Sequence, residues 1–308
     1  MTGRSFAQSG TREVGFLHPG NVGADNQRLA DFRTGLRTKG FIDGQNVAVV
    51  VRAASYDNAK LAQQAEELVN RKPAVLFTVG PLAVREVQRR TKTQAIVALD
   101  LESDPVAAGF VQSLARPGGN VTGLFFDYAD FSGKWLELMG EILPGLRRAA
   151  AMWDPSSGTV QVDAAQAMAA KRGVTLDVIM VDQPSAFDSA FRTAVDKKAQ
   201  AILVLTSPVF GTLPRQVADL ALKYRLPMIT MFPEFAEQGA LITYGTDQRD
   251  LFRQSGEIVG KVLAGANIAE LPVERPSSIL LYVNMKTAAA LGVKIPQVIS
   301  LRADQVIE

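Results

Sequence analysis

Few side chains in this sequence can do covalent chemistry. His18 is the only histidine, and cysteine is absent. Thiolate nucleophiles, disulfides, iron–sulfur clusters and zinc–thiolate sites are thereby excluded, and a His-paired mechanism or a multi-histidine metal site has only His18 to draw on. A Ser-His-Asp triad would have to use it, yet the chain contains no G-x-S-x-G elbow. No Walker A sequence occurs. The glycine-rich stretch ARPGGNVTG (115–123) lacks the G-x-G-x-x-G spacing, follows a helix-like segment and precedes a strand, the reverse of a dinucleotide fingerprint. Asp100, Glu102 and Asp104 alternate as calcium ligands do, but Pro105 and Val111 stand where an EF-hand loop needs glycine and glutamate. No cofactor and no metal are expected, and what remains is the chemistry of recognition.

The elements that must position such chemistry are strands with helices between them. Apolar runs at 14–18, 47–51, 74–80 and 95–100 alternate with amphipathic segments, and the pattern resumes at 149–154, 176–182, 201–208 and 228–233. Short apolar runs separated by helix-length segments predict parallel strands buried on both faces by crossover helices, an α/β layered architecture repeated in two lobes. In such sheets ligands sit beyond the carboxyl ends of the strands. That rule selects His18, Thr78, Gly80, Leu82, Asp100, Asp127, Trp153, Thr206, Phe232 and Tyr244 as the expected lining of an interlobe cleft.

Each of these has a plainer reading beside the functional one. His18 is either a ligand contact or a structural strand-end residue. The turn Gly80-Pro81-Leu82-Ala83 offers free amides and a positive helix end to an anionic group, or is ordinary strand-to-helix punctuation with proline at the first helical position. Asp127 or Asp154 can pair with a ligand ammonium group or cap the helix that follows, and Asp104 or Ser103 can cap in the same way. Trp153, Phe232 and Tyr244 can cover a flat apolar ligand or pack in the core.

Composition bounds the rest. With 47% hydrophobic, 21% charged and 7% aromatic residues the chain is neither disordered nor fibrous. Lys and Arg number 33 against 31 Asp and Glu, so nucleic acid is not an expected partner. No segment reaches the ~18 consecutive apolar residues of a membrane span. The first residues, MTGRSFAQSGTR, lack the apolar stretch of a signal peptide and read as a cytoplasmic start or a processed terminus. A chain of 308 residues suits two domains. We expect one lobe over 14–123 plus 246–272 and the other over 124–245 plus 273–308, with 104–114 a short helix and crossings at 121–126, 240–246 and 279–283.

The stretch SDPVAAGFVQSLARPGGNVTG (103–123), together with VGFLHPG, GLRTKGFIDGQNVAVVVR, SGKWLELMGEILPG, MFPEFAEQGALITYGTD and the tail YVNMKTAAALGVKIPQVISLRADQVIE, strongly resembles the ABC transporter substrate-binding proteins, the tryptophan/tyrosine transport-associated type. The resemblance runs over nearly the whole chain. It implies a type I periplasmic-binding-protein fold: two lobes, each a mostly parallel sheet flanked by helices, joined by three crossings. It further implies a monomeric, periplasmic or otherwise extracytoplasmic receptor, its signal peptide or lipid anchor removed, that delivers a small molecule to the permease and ATPase subunits of an importer. In members that bind aromatic amino acids the loop matching Thr78 to Ala83 is expected to hold a carboxylate; here it reads TVGPLA, and the acidic DLESDP is a second departure. The expected ligand is an aromatic amino acid or a related small carboxylated compound. A racemase-like enzyme on a similar scaffold would need paired cysteines, and a ligand-binding regulator would need a DNA-binding headpiece for which the residues before Val14 are too few.

Overall fold

The structure is a computed structural model that describes residues 11–23, 26–100, 104–126 and 128–308. Among the described residues the strands form two sheets. The first contains β1 (Arg12–His18), β2 (Val47–Ala53), β3 (Val75–Val79), β4 (Ile96–Leu99) and β5 (Val121–Leu124), all parallel, in the order β2-β1-β3-β4-β5. Helices α1 (Gln27–Thr38), α2 (Asn58–Asn70) and α3 (Pro81–Arg90) make its crossovers. β3 reads VLFTV and is buried along its whole length, as a central parallel strand covered on both faces must be.

After α4 (Tyr128–Ile142) comes the second sheet, built from β6 (Arg148–Trp153), β7 (Thr175–Met180), β8 (Ala201–Val204), β9 (Met228–Thr230), β10 (Ile242–Gly245), β11 (Leu280–Asn284) and β12 (Gln305–Ile307). Their order is β12-β11-β10-β9-β8-β6-β7, antiparallel only between β10 and β11. Between these strands run α5 (Val160–Lys171), α6 (Phe187–Asp196), α7 (Pro208–Gly211), α8 (Pro214–Lys223), α9 (Pro233–Glu237), α10 (Gln248–Leu263), α11 (Met285–Leu291) and α12 (Gln297–Arg302).

One of these helices leaves its sequence neighbours. α10 follows a strand of the second sheet yet packs on α1 and against β3, β4 and β5 of the first. The α1–α10 crossing is close enough to require glycine: a Cβ on Gly35 would stand 1.9 Å from the Arg253 carbonyl oxygen, and one on Gly256 would stand 2.1 Å from that of Phe32. Under the crossing lie Phe16, Phe32, Phe77 and Phe252, with ring centroids 4.7–6.4 Å apart. The chain thus passes between the sheets three times, after β5, after β10 and before β11. The first and third passages are hydrogen-bonded together, Glu274 N–H to the Gly123 carbonyl at 2.9 Å and Phe125 N–H to that of Glu274 at 3.1 Å.

Two local expectations change. Residues 104–114 form turns rather than a helix. The Asp104 carboxylate accepts from the amides of Val106 and Ala107, and Gly109, at φ +74°, ends the first turn before a second can form. The passages expected over 240–246 and 279–283 are largely strands β10 and β11, so the polypeptide changes lobe just beyond the one and just before the other.

Candidate ligand-binding site

In each sheet the strand order reverses at one place, between β1 and β3 in the first and between β6 and β8 in the second. Such switch points open a crevice at the strand ends because the two loops there run to opposite faces. The two crevices face each other across a cavity of about 50 Å³. His18 (end of β1), Val79 and Gly80 (end of β3), Leu99 and Asp100 (end of β4), Phe126, Arg28 of α1, and Gln248, Leu251 and Phe252 of α10 line one side. Thr206, Ser207, Pro208, Gly211 and Phe232 line the other. The walls are mainly apolar, with His18, Arg28, Asp100 and Gln248 as polar side chains on the first side and Thr206 and Ser207 on the second.

His18 is fully buried, and its Nδ1 accepts the Gly20 amide at 2.9 Å. A ring nitrogen that accepts carries no proton, so the neutral imidazole has its N–H at Nε2. That atom is buried and has no partner among the described residues. Burial, and secondarily the Arg28 charge, lower the pKa of His18 to about 3, leaving it neutral at pH 7.

Arg28 follows the N-cap Asn26, whose side chain accepts its amide at 2.9 Å. Its guanidinium lies 5.9 Å from the centre of the Phe252 ring and donates through Nη2 to the Gly211 carbonyl on the opposite wall. Among the described residues no carboxylate is within ion-pair distance of it. Glu234 acts on it from farther off, and burial lowers the Arg28 pKa to about 10. Glu234 is itself raised to about 7, by burial first and by the nearby Asp247 charge after that. Arg28 and Gln248 also line an adjoining chamber with Asp31, Tyr56, Glu234 and Arg249.

Left-handed backbone occurs at two of these strand ends. Asp100 has φ +72°, and Ser55 and Tyr56, just past β2, have φ +56° and +66°. The bend is held by Ala54, Ser55 and Tyr56 amides donating to the carbonyls of His18, Gly20 and Pro19. It carries the Tyr56 hydroxyl to Thr212 Oγ1 on the far side of the cleft. Gly80, at φ +82°, brings the start of α3 against Pro208, whose Cγ lies 3.4 Å from where a Cβ on Gly80 would stand.

The expected lining residues divide as follows. His18, Gly80, Asp100, Thr206 and Phe232 meet in the cavity. Thr206 is held through its backbone, its amide donating to Gln161 Oε1 and its carbonyl accepting from Gln161 Nε2, both at 2.7 Å. Thr78 is buried in β3 between Phe77 and Val79; since Val79 reaches the cavity, alternation turns Thr78 to the other face of the sheet. Leu82, the second residue of α3, lies in a neighbouring groove with Tyr56, Asp154 and Asp182. Trp153 donates its indole N–H to the Gly158 carbonyl at 2.7 Å, and Tyr244 packs edge-on to Phe131 beside Arg275. Asp127 lies outside the described residues. Asp154 caps the turn after β6, accepting the Ser156 amide at 2.9 Å and its hydroxyl at 2.7 Å.

Among the cavity residues not anticipated, Arg28 had a readable signal. It is the second residue of its helix, where a cation opposes the positive end of the helix dipole and so calls for another explanation. Gly211, Gln248 and Phe252 carried no such mark.

A family model described as "ABC transporter substrate binding protein" matches residues 23–307. The chain belongs to that family. This substrate-binding protein is 26% identical over 265 residues to a "Tyrosine-binding protein" of Clostridioides difficile, covering 85% of this chain and 76% of that one. Two solved structures are each 25% identical to it. One is an ABC domain of Streptococcus pneumoniae in complex with L-Trp, with a TM-score of 0.84 over 97% of this chain and 100% of that one. The other is the ligand-free, open structure of a substrate binding protein with adhesive properties from Clostridium difficile, with a TM-score of 0.64 over 96% of this chain and 99% of that one. At equal identity the substrate-binding protein described here lies closer in shape to the occupied relative than to the open one.

Proposed function

We propose that this protein is the extracytoplasmic receptor of an ABC importer, and that it binds an aromatic amino acid or a related small carboxylated compound between its lobes without converting it chemically. The observation that carries this reading is the mainly apolar cavity closed between the switch points of both sheets, with Arg28, His18 and Asp100 among the polar side chains that line it. Aromatic walls suit a flat apolar side chain, the Arg28 and His18 donors suit a carboxylate, and Asp100 suits an ammonium group. The relatives named for tyrosine and crystallised with L-Trp point to the same ligand class.

The lobes are taken as 14–123 plus 246–272 and 124–245 plus 273–308. A cavity of about 50 Å³ holds a few water molecules, so an amino acid enters only when the lobes part. Closure then brings both walls onto the ligand, and the differential contact of the closed form is what signals a loaded receptor to the permease and ATPase subunits. The protein acts as a monomer. A thermal-shift screen over the amino acids and simple aromatic acids tests the reading. At a hundred times its dissociation constant a ligand stabilises the fold by about 2.7 kcal/mol, so L-Trp, L-Tyr or an aromatic acid should raise the melting temperature by degrees. A response to sugars alone, or turnover of the stabilising compound, would refute it.

A further inference from the structure

Resting on that reading, we propose that the ligand's carboxylate is held by Arg28 and His18 together, on the α1 and β1 side of the cleft, rather than by the amides at the start of α3. Arg28 brings a guanidinium into the cavity with no carboxylate at ion-pair distance among the described residues, Glu234 acting on it from beyond that distance. A cation taken out of water without a counter-charge is costly, and an anionic ligand removes that cost. His18 adds a second donor of fixed polarity. Gly20 N–H occupies Nδ1, so the buried Nε2 of this cavity-lining residue carries an N–H that no described group accepts, and it can itself accept nothing. Two donors on one wall, one charged and one neutral, suit the two oxygens of a carboxylate.

The start of α3 fits this task less well. Pro81 has no N–H, the Gly80 amide is spent on the Leu99 carbonyl at 2.8 Å, and Leu82 faces the outer groove. Arg28 also donates to Gly211 across the cleft, so the group that holds the carboxylate is tied to the closed arrangement of the lobes.

Calorimetric titration with L-tryptophan, L-tyrosine, L-tryptophanamide and indole-3-propionate, on the wild type and on Arg28→Met, Arg28→Lys, His18→Gln and Arg249→Met, tests the assignment. The wild type should prefer the acid to the amide by about 100-fold or more, the scale expected when one partner of a buried charge pair is removed. Arg28→Met should shrink that preference to a few-fold, Arg28→Lys and His18→Gln should lower it by about tenfold, and Arg249→Met, whose cation is paired with Asp247 at 3.0 Å, should leave it unchanged. Should Arg28→Met not fold, the wild-type preference and Arg28→Lys carry the test. Equal binding of acid and amide by the wild type, or an undiminished preference in the Arg28 and His18 variants, would overturn the proposal. Failure of the wild type to bind either L-tryptophan or L-tyrosine would instead defeat the amino-acid reading, and indole-3-propionate against Arg28→Met would then decide the carboxylate assignment.

Discussion

His18 and Glu234 are two ionisable side chains at the cleft whose burial sets opposite pH dependences. His18, at about 3 in the folded protein against an ordinary 6.5, stays neutral where the unfolded chain takes up a proton. Its contribution to stability is present above pH 6.5 and is lost as pH falls toward 3, with a slope of about 1.4 kcal/mol per pH unit. Glu234, at about 7 against 4.5, keeps a proton that the unfolded chain has released, so its contribution is present below pH 4.5 and is lost as pH rises through 7. The slopes oppose each other between pH 4.5 and 6.5, and the wild type should change little there on account of this pair. Urea unfolding at several pH values should show stability falling with rising pH in His18→Gln and rising with it in Glu234→Gln. Since His18 is the only histidine, no other imidazole contributes to the difference. Parallel pH profiles for the wild type and both variants would contradict these assignments.

At the scale of elements, the α1–α10 crossing sets the cavity wall, because both helices begin at it, with Arg28 on one and Gln248 on the other. Gly35→Ala would force a Cβ onto the Arg253 carbonyl and drive the helices apart. Thermal unfolding should show a loss of about 1–3 kcal/mol, and a melting temperature within a degree of wild type would mean that the crossing has slack. Much at this scale is legible in the sequence. Apolar runs mark the strands, Pro81 marks the start of α3, and His18, Gly80, Asp100, Thr206 and Phe232, which the strand-end rule selects, line the cavity. The rule gives position but not direction. Thr78 is one residue from Val79 yet faces the opposite layer, and Trp153 turns its indole to its own loop. Reading 104–114 as a helix missed the stop at Gly109. Return of α10 to the first sheet, which adds Gln248 and Phe252 to the site, is a long-range packing outcome; the expected first lobe included these residues, but their place in the cavity wall had no local mark.

For the molecule as a whole, the proposed function turns on a cleft that closes on its ligand. Arg28 to Gly211, Tyr56 to Thr212 and Gly80 against Pro208 span the cleft in the arrangement described here, which resembles the L-Trp-bound relative more than the open one. These contacts exist only when the lobes meet, so a ligand touching both walls shifts the population toward closure. Small-angle X-ray scattering of the ligand-stripped protein, with and without saturating L-tryptophan or whichever compound the thermal screen finds, measures this directly. The radius of gyration should fall on binding, and scattering calculated from the arrangement described here should fit the loaded sample better than the free one. An unchanged radius at saturation, with the free protein already matching this closed arrangement, would contradict the account.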